Sequence, residues 1–145
     1  MRSRGANGVG RFSVEFEVAD YLDLVKSEEG TLPPSEVRRE TISRVVDPGA
    51  SKLVLPEAVV KRLGLLLGAN IKVTYADGRQ SQGRETKGVH VELLGRSDTF
   101  SAIVEPKRRT VLIGAIVLED LDLLVDCSRQ QLVPCDPSGP VYEIE

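Results

Sequence analysis

Between Phe12 and Val18 apolar residues occupy every second position, with Ser13, Glu15 and Glu17 between Phe12, Val14, Phe16 and Val18. Successive side chains of a strand point to opposite faces, so a period of two predicts a half-buried β-strand, whereas a helix repeats every 3.6 residues or so. Short β-branched or apolar runs recur down the chain at Val37–Val46, Lys72–Tyr75, His90–Leu94, Phe100–Val104, Val111–Ile113, Leu123–Val125 and Gln131–Val133. Each is of strand length and is bounded by turn residues.

The connections carry their own signals. Asp77-Gly78 predicts a tight hairpin after Lys72–Tyr75, because glycine accepts the positive φ such turns demand. Leu123–Val125 and Gln131–Val133 read as a hairpin closing over Cys127–Gln130. Residues Ala19 to Pro34 lose the alternation and end on Leu32-Pro33-Pro34, which predicts a surface excursion. Ser51 to Leu63 places Leu55, Val59, Val60 and Leu63 at helical intervals around Pro56, with Gly64 as a stop, and a second short helix is expected over Ala115–Leu121. The expected fold is an all-β, barrel-like domain with one or two short helices.

At 145 residues the chain has the length of one domain. The glycine-rich stretch 1–10 reads as a flexible tail, 11–136 as the folded domain and 137–145 as a C-terminal tail. A hydrophobic fraction of 41% with 28% charged residues is the composition of a folding chain. A net charge of −3 and a pI near 5.3 provide no overall basic field, so no nucleic-acid partner is expected. No apolar run is long enough for a bilayer span and Met1–Gly10 lacks the apolar core of a signal peptide, so a cytoplasmic protein with no membrane partner is expected. Cys127 and Cys135 lack CxxC spacing and His90 is the single histidine, so no metal site is expected, nor any cofactor. The cysteines read as reduced thiols.

The chemistry-bearing pattern is Val45-Val46-Asp47-Pro48-Gly49-Ala50, a strand running into a turn, followed far down the chain by Leu112-Ile113-Gly114-Ala115. Together with Lys61-Arg62-Leu63-Gly64-Leu65, the Ala76-Asp77-Gly78 hairpin and the terminal strand pair, this order resembles the retropepsin-like aspartic proteases, in a bacterial-type version. The resemblance implies a homodimeric acid-protease barrel with Asp47 as catalytic residue and Pro48, Gly49 and Ala50 completing its turn. It further implies that Leu112, Ile113 and Gly114 are the supporting apolar-apolar-Gly segment, that Ala76, Asp77 and Gly78 form a flap, and that the partners are a second copy and an extended peptide or protein substrate. One aspartate per chain is enough if a two-fold axis joins two copies, since adjacent carboxylates share a proton and can act as acid and base.

The sequence departs from that family at Pro48, where Asp-Thr-Gly or Asp-Ser-Gly is usual. Proline supplies neither the hydroxyl nor a backbone N–H, and it restricts the residue before it. A catalytically silent peptide-binding or assembly dimer of the same fold is therefore the alternative. Ser51-Lys52-Leu53-Val54-Leu55-Pro56 through Lys72-Val73 also resembles AbrB-type DNA-binding dimers, but over only about 30 residues and without accounting for Val111–Pro134. His90 reads as solvated, as do Asp120, Asp122 and Asp126, and Lys107-Arg108-Arg109 reads as a solvated loop facing Glu105.

Overall fold

The computed structural model describes residues 12–47 and 49–144; the expected tail over Met1–Gly10 and Pro48 lie outside the described residues. Strand β1, Phe12–Asp20, pairs antiparallel with β2, Arg39–Val46, so that Phe16 lies opposite Ile42 and Val18 opposite Glu40. The alternation works as expected: Phe16 and Val18 are buried and Glu15 is exposed.

The segment joining them is not the surface excursion expected. Tyr21–Glu28 forms helix α1. Its N-cap is Asp20, whose Oδ1 accepts from the Leu22 amide at 3.0 Å, the usual way an aspartate satisfies a helix's first free N–H groups. The helix escaped detection because an acid anchors it: Asp23 is its buried residue. Asp23 Oδ2 accepts from the amide of Arg38 at 3.0 Å and from its Nε at 2.9 Å, while Oδ1 accepts from Nη2 at 3.1 Å. The Arg38 hydrogen bonds hold the Asp23 carboxyl below the ordinary range, against the opposing effect of burial.

After β2 come β3, Leu53–Pro56, and helix α2, Glu57–Leu63. The expected helix over Ser51–Leu63 is thus half strand. All four β3 residues are buried, and a short run buried on both faces carries no period that would distinguish strand from helix. Gly64 ends α2 at φ 71°, in the left-handed region. Then follow β4, Leu67–Thr74; β5, Gln80–Leu93; β6, Arg96–Glu105; β7, Leu112–Ile113; helix α3, Ala115–Asp120; and the β8–β9 hairpin, Leu123–Asp126 with Gln131–Pro134.

The main sheet runs β1-β2-β7-β3-β6-β5-β4, and an extra pairing of β1 with β5 closes it into a barrel. Strand β5 makes closure possible by serving two neighbours along the edge that does not pair with β6. Its first half pairs with β4, from Thr74 opposite Gln80 to Leu67 opposite Thr86, and its second half pairs with β1, Val18 opposite Val91. The register shifts between Thr86 and Val89, where Gly88 sits at φ 77°, and a bulge of this kind bends a strand. Val18, Leu55, Val60, Val89, Val91, Val104, Ile113 and Leu121 fill the interior. No helix among the described residues is long and apolar enough to cross a membrane.

Asp23→Ala removes the acceptor for three hydrogen bonds but leaves Arg38 able to rehydrate, so a loss of about 2 kcal/mol is expected at neutral pH. Because the folded-state pKa of Asp23 is depressed, its contribution is complete above the ordinary value of 3.8 and fades as pH falls through the lower, folded value. Urea denaturation of parent and variant at pH 7 and in acid measures both effects; equal stability at pH 7 would contradict the anchor.

Candidate active site

Strand β7 is two residues long and lies between β2 and β3. It runs parallel to β2, with Val45 opposite Leu112 and Val46 opposite Ile113, and antiparallel to β3, with Val54 opposite Leu112. Its position sets the Asp47 turn. The Asp47 amide donates to the Ile113 carbonyl at 3.0 Å, the Ala50 amide donates back to the Asp47 carbonyl at 3.0 Å, and the Gly49 amide donates to Asp47 Oδ1 at 3.0 Å. The half-buried carboxylate is therefore oriented by the backbone of its own turn.

The same turn caps the helix that follows β7. Helix α3 has no side-chain cap; the Ala115 and Ile116 amides donate instead to the carbonyls of Ala50 at 2.8 Å and Ser51 at 2.9 Å. Gly114 lets the two backbones meet: a Cβ there would fall 2.4 Å from the Lys52 carbonyl oxygen and 2.8 Å from its amide nitrogen. The glycine is required by close approach, its φ of −96° being open to any residue.

A groove of about 540 Å³ opens above the turn. Asp47, Gly49, Ala50 and Lys52 line it together with Val73, Thr74, Tyr75 and Ala76 from the β4 end and with Ile103, Glu105, Arg108 and Leu112. Asp77 and Gly78 form the hairpin tip outside this lining. There the Gly78 amide donates to the Tyr75 carbonyl at 2.9 Å with Gly78 at φ 88°, and Asp77 accepts from Arg79 Nε at 2.7 Å. The structure thus brings Asp47, Gly49, Ala50, Ala76 and Leu112 to one cavity, while Ile113 is fully buried behind it and Gly114 packs beneath.

Sequence reasoning did not find the groove's charged wall. The Tyr75 hydroxyl hydrogen-bonds Glu105, which raises the Tyr75 pKa, and Arg79 lies 4.7 Å over the Tyr75 ring. Arg108 completes the cluster with an ion pair to Glu105 at 3.3 Å. The expected Glu105–basic loop contact is present, but its link to the hairpin spans 30 positions and has no local signal.

Neither Asp120 nor His90 lines the groove. His90 stacks on Tyr21 with ring centroids 6.4 Å apart. Asp120 is less solvated than expected: its hydrogen bond with Asp98, followed by burial, pushes it up to about 6, and Asp98 is correspondingly lowered.

The sequence profile of a family described as aspartyl protease matches residues 34–124, a span containing the Asp47 turn, the hairpin and Leu112-Ile113-Gly114. The chain belongs to the aspartyl protease family. Among solved structures, it is similar to EIAV protease complexed with the inhibitor HBY-793, with a TM-score of 0.52 and 18% identity over 76% of this chain and 86% of that one. At that identity the likeness is one of fold, and it identifies the barrel as retropepsin-like. No curated protein matches the chain.

In this aspartyl protease fold Gly114→Ala has nowhere to place its methyl group except against the Lys52 backbone. A destabilisation on the order of 2–3 kcal/mol is expected from the forced displacement. Denaturant titration of the folded variant measures it, and an unchanged midpoint would show that β7 and the Asp47 turn are not packed this tightly.

Proposed function

We propose that this domain is an aspartic-type endopeptidase-like module in which two copies of Asp47 meet at a two-fold axis and act on an extended peptide. The observation that carries this reading is the location of Asp47 on the floor of a groove, held by Ile113 and its own turn, opposite a hairpin wall. One protomer contributes one such aspartate, so the chemistry needs the second copy.

In the dimer the two carboxylates cannot both ionise readily, and the pair shares a proton over an intermediate pH range. The ionised member accepts a proton from the attacking water, while the protonated member donates to the carbonyl oxygen of the scissile peptide. Gly49 and Ala50 hold the turn, Leu112-Ile113-Gly114 supports it from below, and the Ala76-Asp77-Gly78 hairpin is the flap.

Pro48 favours a second reading, a silent peptide-binding or assembly dimer. Where the family carries Thr or Ser, proline offers no hydroxyl to hydrogen-bond across the dimer beneath the aspartates. Extended peptides can still bind such a groove through backbone hydrogen bonds, without a competent dyad.

The two readings part on one substitution. The parent chain is expected to cleave peptides weakly or not at all. Pro48→Thr is expected to strengthen the dimer and raise cleavage of a mixed peptide library between mildly acidic and neutral pH. Adding Asp47→Asn to that variant should abolish the gain. A folded, dimeric Pro48→Thr protein that cleaves nothing would leave the silent module as the function.

A further inference from the structure

A second groove of about 640 Å³ adjoins the first and shares Tyr75, Glu105 and Arg108 with it; Arg79, Gln80, Ser81, Gln82, Pro106 and Lys107 complete its lining. The two meet at that shared cluster. Their charge differs from that of the molecule: the chain as a whole carries −3, yet the two grooves together are lined by the cations Lys52, Arg79, Lys107 and Arg108 against the carboxylates Asp47 and Glu105.

Two of those cations are compensated locally. Arg108 pairs with Glu105 at 3.3 Å, and Arg79 pairs with Asp77 at 2.7 Å. Among the described residues, neither Lys52 of the first groove nor Lys107 of the second forms an ion pair with an acid. Positive charges lining a concave surface raise the local concentration of anionic ligands.

We infer that the groove selects acidic extended peptides, with Lys52 reading a carboxylate side chain near the Asp47 turn and Lys107 reading a second in the adjoining groove. This rests on the groove being a peptide site, as proposed for the domain's function, and it adds the class of peptide. Glu105 does not oppose the selection, because the Tyr75 hydroxyl and Arg108 already occupy it. Both lysines are specificity residues; neither takes part in proton transfer.

The test separates binding from cleavage. In the full-length Asp47→Asn protein, fluorescence anisotropy is measured with three labelled extended peptides of equal length, in which Glu, Gln or Lys alternates with the same apolar residues. Two partly exposed charge contacts predict about tenfold tighter binding of the Glu peptide than of the Gln peptide at low ionic strength. The ratio should shrink as added salt brings the Debye length to about 10 Å and below.

Lys52→Gln and Lys107→Gln should each remove part of the preference, and the double variant all of it, with far-UV circular dichroism unchanged and binding of the Gln peptide retained. Equal binding of the Glu and Gln peptides, or a preference that survives the double substitution, overturns the charge assignment while leaving the peptide groove standing. Failure of all three peptides to bind overturns both.

Discussion

The insertion of a two-residue strand between β2 and β3 is the constraint on which the rest of the site depends. Strand β7 gives one carbonyl, that of Ile113, to the Asp47 amide, and Gly114 just after it packs against the backbone of Lys52. It also receives α3, whose first amides are satisfied by the carbonyls of Ala50 and Ser51. These contacts are backbone to backbone, so they fix the turn independently of side-chain rotamers. The Gly49 amide then orients one oxygen of the Asp47 carboxylate.

The hairpin is held differently. Val73 and Thr74 pair with Ser81 and Gln80 in the β4–β5 ladder, and the end of the hairpin is tied to Glu105 through Tyr75, a side-chain contact within a cluster that Arg108 and Arg79 complete. Side-chain clusters near the surface are weaker and more easily rearranged than a backbone ladder. The Asp47 turn is thus held by backbone bonds to β7, and the outer end of the β4–β5 hairpin is held to Glu105 by side-chain contacts.

Much of this was legible in local pattern. The alternation of Phe12–Val18, the Asp77-Gly78 turn and the Leu123–Val125 and Gln131–Val133 pair rely on nearest-neighbour rules, and the fold follows those rules there, whereas the link between the Asp47 turn and the distant Leu112-Ile113-Gly114 was legible only through the family resemblance. Helix α1 was hidden because Asp20 caps it and Asp23 anchors it, so the expected apolar stripe is absent. Leu53–Pro56 was hidden because burial on both faces erases periodicity. The length of β5 was hidden by polar residues and glycines, Thr86 and Gly83 among them, that are buried by neighbouring strands. The groove's charged wall joins residues far apart in the chain, and pairing of that kind has no signature in a single sequence.

The central claim is that one site is made by two chains. Its most direct measurement is the binding stoichiometry, by titration calorimetry, of a peptide whose central amide is replaced by an uncleavable hydroxyl-bearing unit that mimics the tetrahedral intermediate. A symmetric site shared by two Asp47 residues predicts saturation at one peptide for every two chains. Saturation at one peptide per chain, or no binding by a protein that sediments as a dimer, would contradict the shared site.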